Sequence, residues 1–378
     1  MKNVIFVSPH SDLYGAERSM ITVMLSVRNA GYNPILLIKK EGTIETSLIE
    51  NGIEYHIVHF RQCINVNGKH DYLRGIKDYI RDWQTLKQFV CEYKSICKET
   101  VLVHTNSIIT FFGIMLATKL GVPHVQHIRE FGREDFDMEF NFGKSIVARI
   151  INKSTKIVCI SNAVYNTYAD ILDNTKMVRI YNGIDISKKQ HTSQTVKSNV
   201  VKMVIVGRLS KEKGQMQAIK ASEILIKKGI TNFEIHLYGN GTDAEMLNEY
   251  VQTNDLSEYI VFEGYQSEID YSQYDIALMT SKSEAFGRVT VEYMLSGLPV
   301  IGIASGGTLE IVADNKTGLL SDWDDINRLA FNMERLIKDI DLRVQLGQQG
   351  KIRATKLFTE KAYGQNIIAL YKEILEQK

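Results

Sequence analysis

Short apolar runs alternate with helical patterns along the whole 378-residue chain, and they do so in two separate series. Residues 4–7, 34–38, 55–58, 101–104, 124–127 and 157–160 read as strands in the first half. Residues 201–206, 234–238, 260–263, 276–279 and 300–303 read as strands in the second. Strands that are apolar on both faces and separated by helices belong to parallel sheets with crossover connections. Two such series predict an α/β chain of two doubly wound domains. The length agrees, because it exceeds what one hydrophobic core usually serves. The break falls in 187–199, a polar stretch nearly free of large apolar side chains, which reads as a linker. The expected boundaries are a first domain over 1–186, a second over 200–358 and a closing helical segment over 359–378.

Charge and cysteine content narrow the function. The net charge of +1 leaves no basic excess to displace counterions, which argues against a nucleic-acid partner. Cys63, Cys91, Cys97 and Cys159 lack close metal-ligand spacing and read as reduced thiols of a cytosolic protein. The first apolar run stops at Ser8-Pro9-His10, too early for a signal peptide. No run of 18 apolar residues is present to span a membrane.

One helix has an unusually regular pattern. Tyr72, Ile76, Tyr79, Trp83, Leu86, Val90, Tyr93 and Cys97 recur at steps of four and three, which predicts one long helix with that row as its apolar seam. Lys69, Arg74, Lys77, Arg81, Lys87, Lys94 and Lys98 lie between them, diluted by Asp71, Asp78, Asp82 and Glu92. Two readings stand open. The helix packs on the first domain with its cations in water, or part of it touches an anionic membrane surface.

The chemistry concentrates in the second half. Glu284 and Glu292 stand eight positions apart, just after the strand 276–279. The stretch reads as strand, loop and helix N-terminus, with Glu284 in the loop and Glu292 two turns into the helix, both projecting from nearly one face. A helix start offers free N–H groups and positive dipole charge to a phosphate. The two acids flank that position, where polyol hydroxyls can be bound. Upstream, Gly207-Arg208-Leu209-Ser210-Lys211-Glu212-Lys213-Gly214 follows the strand 201–206. Arg208 can fork onto two phosphate oxygens while Lys213 adds a point charge.

This combination resembles the retaining GT-B glycosyltransferases of family 4, over essentially the whole chain. Glu284 through Glu292, with Gly297-Leu298-Pro299-Val300-Ile301 behind it, looks like the family's E-x7-E signature. Gly207-Arg208-Leu209 with Lys213-Gly214 looks like its G-R-L/F-x-x-x-K-G segment, and Asn182-Gly183-Ile184-Asp185 like its N-G-I/V-D. Gly306-Gly307 with Glu310 resembles its G-G-x-x-E. Tyr14-Gly15-Ala16-Glu17 departs from its G-G-x-E, since Tyr14 replaces the first glycine.

The resemblance implies the GT-B fold, two Rossmann-like domains facing a cleft. Acceptor would bind mainly to the first domain and donor to the second, with the closing helix crossing back to the first. Arg208 and Lys213, after Gly207, would hold the donor diphosphate. Glu284 would bind donor-sugar hydroxyls near the reacting carbon, and Glu292 the ribose. The backbone around Phe286, Gly287 and Val289 would contact sugar and phosphates. The base would lie between Gly239-Asn240-Gly241 and Gly264-Tyr265. In the first domain, Gly15 would let backbone approach the donor and Tyr14 would face the acceptor. His127, at a strand end, would stand beside the reacting centre, with His124 and His104 as weaker candidates. Arg129, Glu130 and Arg133 would face the cleft or acceptor.

No metal or cofactor is expected. Glu134-Asp135 and Asp324-Asp325 read as adjacent acids on the surface and not as a metal-diphosphate holder. The implied reaction is metal-independent sugar transfer with retention, from a UDP-sugar by preference, to a glycan or lipid-linked acceptor. Cell-surface polysaccharide synthesis, of capsule or exopolysaccharide type, at the inner face of the plasma membrane fits that chemistry. A GT-B-like sugar-nucleotide epimerase or phosphorylase, and a non-catalytic nucleotide-sugar-binding protein, remain as alternatives.

Overall fold

A computed structural model of the chain describes residues 1–65, 70–132, 139–185 and 199–376. They form two compact units, Met1–Gly183 with Glu360–Lys378, and Ile184–Thr359. The expected linker, apart from Asn199, lies outside the described residues, as do Lys69, Arg133 and the pair Glu134-Asp135.

The first unit is built on a seven-stranded sheet. Its strands are β1 (Asn3–Ser8), β2 (Asn33–Ile38), β3 (Glu54–Ile57), β5 (Thr100–Asn106), β6 (His124–Ile128), β8 (Lys156–Cys159) and β9 (Met177–Arg179), in the order β3-β2-β1-β5-β6-β8-β9. Every neighbouring pair is parallel. A two-residue antiparallel pair, β4 (Ile64–Asn65) with β7 (Glu139–Phe140), stands apart from it. The core joins Val4, Phe6, Leu36, Leu102 and Val125 of the sheet to Met20, Val23, Met24 and Val27 of the helix Gly15–Asn29. The last helix of the chain, Glu360–Glu376, adds Tyr363, Ile367, Leu370, Tyr371 and Ile374 to the same core.

The long seam helix differs from expectation. It runs from Tyr72 to Glu92, breaks at Tyr93 and resumes as Lys94–Glu99. Its buried line is Gly75, Asp82, Leu86 and Phe89, whereas Tyr72 and Ile76 are exposed. The buried direction is therefore turned by roughly 70° from the apolar seam. Two contacts explain it. A Cβ on Gly75 would lie 3.0 Å from the Phe142 ring, so the helix backbone packs closely on that side chain there. Asp82 is drawn inward by the Arg61 N–H at 3.1 Å and the Arg61 guanidinium at 3.2 Å.

The second unit carries a six-stranded parallel sheet. Its strands are β10 (Val201–Val206), β11 (Phe233–Tyr238), β12 (Ile260–Gly264), β13 (Ile276–Met279), β14 (Val300–Ile303) and β15 (Gly318–Ser321), in the order β12-β11-β10-β13-β14-β15. It has its own core, led by Met203, Leu225, Ile235, Leu278 and Met333. In both sheets the strand order reverses once, between β1 and β5 and between β10 and β13. The carboxyl ends of strands at such a switch point form the crevice where doubly wound sheets take ligands.

Candidate active site

In the second unit the two charged motifs meet at the switch point. β10 leads into Gly207 and Arg208, and β13 leads into the loop that carries Glu284. The turn Lys211–Lys213 is held against the end of β13 by two bonds. Thr280 Oγ1 donates to the Lys213 carbonyl at 2.8 Å, and the Lys282 N–H to the Glu212 carbonyl at 2.8 Å. Lys213 Nζ thereby reaches Glu284 Oε1 at 2.5 Å, with both side chains half-buried or more. Arg208 is exposed, directly after Gly207 at the end of β10. A cation and a carboxylate paired at a ligand crevice can each turn to a phosphate or a hydroxyl when one arrives.

The loop 284–287 is fixed from behind. The Gly307 N–H donates to the Glu284 carbonyl at 2.6 Å, and a Cβ on Gly307 would lie 2.2 Å from the Phe286 carbonyl oxygen. Only glycine permits that approach. Phe286 is buried against the edge of Phe358, their centroids 5.9 Å apart. The helix Arg288–Leu295 then starts behind Gly287, whose φ of +98° is not helical. Glu292 is therefore the fifth helical residue, just over one turn in and not two, and Glu284 stands outside the helix, so the two acids do not share a helical face. Tyr271 Oη donates to Glu292 at 3.4 Å, and Tyr293 Oη accepts the Val206 N–H at 2.8 Å, which ties this helix to the end of β10. Val289 is half-buried in its first turn. The two loops expected around a base are neighbours, since the Gly239 N–H donates to the Gly264 carbonyl at 2.8 Å and the Leu209 N–H to the Asn240 carbonyl at 3.0 Å. Tyr265 projects beside them, 69% exposed.

In the first unit Tyr14 caps the helix that begins at Gly15, and its ring is exposed. Behind them lies a buried polar network at the carboxyl ends of β1, β5 and β6. Arg129 donates to Asn106, to Asn182 Oδ1 at 2.7 Å, to Tyr363 Oη at 2.9 Å and to His127 Nδ1 at 3.4 Å. Arg129 was expected to face the acceptor. It is instead an anchor inside this unit, bonded to β5, β6, the turn at Asn182 and the final helix. Glu130 is likewise enclosed, accepting from Ser107 Oγ, the Ile108 N–H at 2.8 Å and the Arg129 N–H at 3.0 Å. His127 is fully buried, and its Nε2 has no protein partner. Burial, and then the Arg129 charge, hold His127 and His104 well below the usual histidine range, so both are neutral. His124 is pushed down to about 3 by burial, bridged between Thr105 at 2.7 Å and Ser154 at 2.9 Å as a structural residue.

Two groups were not singled out from sequence. Glu17 is buried beside Ser8, and burial pushes its carboxyl up to about 7. Its place after Gly15 was visible, but its burial was not. Tyr371 meets His104 Nδ1 at 2.5 Å from a helix 267 positions away, a separation no local pattern reveals.

Comparison with known proteins agrees with this architecture. The model of glycosyltransferase family 4 matches residues 14–188, and that of glycosyl transferases group 1 matches residues 187–353. An uncharacterized glycosyltransferase of Methanocaldococcus jannaschii, MJ1178, is 28% identical over 267 residues, 69% of this chain and 72% of the relative. The capsular polysaccharide biosynthesis glycosyltransferase CapM of Staphylococcus aureus is 23% identical over 206 residues, 52% of this chain and 54% of the relative. The crystal structure of Anabaena Alr3699/HepE in complex with UDP superposes with a TM-score of 0.79 at 20% identity, over 99% of this chain and 100% of that one. The class is thus a glycosyltransferase of GT-B fold. Within that class the chain belongs to glycosyltransferase family 4.

Proposed function

We propose that this chain moves a sugar, with retention, from a UDP-sugar to a glycan or lipid-linked acceptor, without a metal or other cofactor. The process served is cell-surface polysaccharide synthesis, of capsule or exopolysaccharide type, at the inner face of the plasma membrane; the name of the CapM relative, a capsular polysaccharide biosynthesis glycosyltransferase, supports the capsular kind. The UDP held by the HepE neighbour supports the donor class. The observation that carries the reading is the contact of Lys213 with Glu284, which joins two distant motifs at one switch point.

On this reading Arg208 and Lys213 neutralise the diphosphate, aided by the N-terminus of the helix Arg288–Leu295. Lys213 has three donors, so a phosphate oxygen can bind it without displacing Glu284. Glu284 then binds donor-sugar hydroxyls, and Glu292 the ribose. His127, whose Nε2 has no protein partner, is the first unit's candidate for a role in the transfer. The bond from the sugar's anomeric carbon to the phosphate oxygen breaks. The acceptor oxygen bonds that carbon on the same face, and its proton passes to the leaving phosphate.

A turnover screen across UDP-, GDP-, ADP- and dTDP-sugars tests the assignment, with anomeric configuration read from the product. Turnover should be greatest with a UDP-sugar and should survive EDTA. Arg208→Ala and Lys213→Ala should each lose about 1.5–3 kcal/mol of charge-assisted binding, roughly one to two orders of magnitude in rate. Loss of activity on chelation, restored by Mg²⁺, would refute metal independence. Wild-type rates in both variants would refute the diphosphate clamp.

A further inference from the structure

The helix Tyr72–Glu92 turns a face to solvent that a surface helix normally makes polar. Leu73 is 83% exposed, Ile76 52% and Ile80 53%, and Tyr72 is also largely exposed at the start of the same row. At about 100° per residue Leu73, Ile76 and Ile80 fall within about 60° of one another, on the side away from the buried line of Gly75, Asp82 and Leu86. Arg74, Lys77 and Arg81 follow along one flank of that row. With Arg61 they line an open groove of about 600 Å³, which also takes in Asp71, Leu73 and Asp78. Arg61 is paired with the buried Asp82 at 3.2 Å, which leaves Arg74, Lys77 and Arg81 facing Asp71 and Asp78. Asp78 is shared between Arg74 at 3.6 Å and Arg81 at 3.9 Å, while Asp71 accepts the Arg74 N–H as the helix cap. Lys77 has no acidic neighbour at ion-pair distance among the described residues.

A row of aliphatic side chains facing water, with cations along its edge, has the division that suits a lipid interface. The apolar row enters the acyl boundary, and the cations stay at the level of the headgroups. We propose that this face of the helix docks the enzyme on an anionic membrane surface, with Leu73, Ile76 and Ile80 inserted and Arg74, Lys77 and Arg81 against lipid phosphates. The inference rests on the reading of a lipid-linked acceptor and supplies the surface that brings the enzyme to it. The choice of a bilayer over a protein partner follows from the charge and shape together. The groove is open and cationic with Leu73 at its edge, and from there the exposed aliphatic row continues along the helix.

The test is co-sedimentation of the full chain, without donor, with vesicles of phosphatidylcholine alone or of phosphatidylcholine with phosphatidylglycerol. The wild type should bind the anionic vesicles, and about tenfold or more weakly the neutral ones. Leu73→Ser/Ile76→Ser/Ile80→Ser should lose about tenfold or more in vesicle binding, and Lys77→Ala/Arg81→Ala should lose most of the salt-sensitive part. Both variants should keep the wild-type melting temperature and wild-type transfer to a water-soluble acceptor, because none of these residues belongs to the candidate active site. Absence of wild-type binding to anionic vesicles would overturn the proposal, as would wild-type binding by the triple serine variant. A concentration-dependent dimer lost in that variant would instead assign the row to a second copy of the chain. Because binding is read without donor, vesicle capture without sugar transfer would refute the proposed function and leave the surface standing.

Discussion

A guanidinium can only donate, so Arg129 fixes the protons on the histidines beside it. His127 Nδ1, 3.4 Å from Arg129, must be a bare acceptor. His104 Nε2, 3.1 Å from the same atom, must then donate to it, which leaves His104 Nδ1 to accept from Tyr371 Oη. His127 consequently carries its proton on Nε2, the nitrogen with no protein partner. ¹H–¹⁵N spectra at neutral pH should show both rings neutral and Nε2-protonated, and an Nδ1–H form of His127 would contradict the network. Glu17 gives a second prediction. Its carboxyl rises from 4.5 to about 7 on folding. The raised value means that the folded state favours the protonated form. That contribution is complete below pH 4.5, declines as pH rises to about 7 and is absent above it. It amounts to about 3 kcal/mol at most. Glu17→Gln should therefore raise the melting temperature relative to wild type much more at about pH 8 than at about pH 5. The same difference at both values would place the titration elsewhere. His127 was legible as a candidate because it ends a strand beside a switch point. Its complete burial was not, because Tyr363, from the far end of the chain, packs edge-on against its ring.

The regular elements were the most legible part, and the reason is burial. All eleven expected strands are present within one or two residues, because strands covered on both faces must be continuously apolar. The strands not read from the sequence are those with little apolar signal. β9 is three residues ending in exposed Arg179, and β15 offers only Leu319 and Leu320 between Gly318 and Ser321. The seam helix shows the opposite failure, in which a strong pattern misleads. Its period was right, but Gly75 and Asp82 determine the buried side through a close approach and a buried hydrogen bond, and a hydrophobic count sees neither. The E-x7-E element was placed correctly as strand, loop and helix, but its geometry was read as too helical. That matters for the division of labour between its acids. Glu284 sits in the loop on Lys213, and Glu292 sits in the helix beside Tyr271. Glu284→Gln should therefore lower turnover while leaving UDP affinity within about twofold. Glu292→Gln should weaken UDP itself by about tenfold, the loss of one charge-assisted bond. Calorimetry with UDP decides it: equal losses in both variants would reject the separation, and the reverse order would exchange the two roles.

At the scale of the whole chain, the path of the backbone matters more than any motif. The chain enters the second unit at Ile184 and leaves it at Thr359, and these two residues pair, with the Ile184 N–H on the Phe358 carbonyl at 2.8 Å. On the other side of that crossing, a Cβ on Gly183 would lie 2.6 Å from the Glu360 Cα, so the Asn182-Gly183 turn lies directly against the start of the final helix. The first unit is therefore discontinuous in sequence. Its core is completed only when Tyr363, Ile367, Leu370, Tyr371 and Ile374, none more than 6% exposed, arrive from the C-terminus. At about 1.5–3 kcal/mol for each buried side chain, the helix contributes roughly 8–15 kcal/mol to that unit, as much as the whole stability of an ordinary domain. The second unit shares none of those residues and has a separate core. A chain ending at Thr359 should consequently keep the unfolding transition of residues 184–359 and lose that of the first unit. Calorimetry and limited proteolysis of the truncated chain should show one cooperative transition and one protected fragment, beginning near Ile184. Two retained transitions would mean that the first unit closes its core without the helix, and no protected fragment would mean that the two cores fold only together.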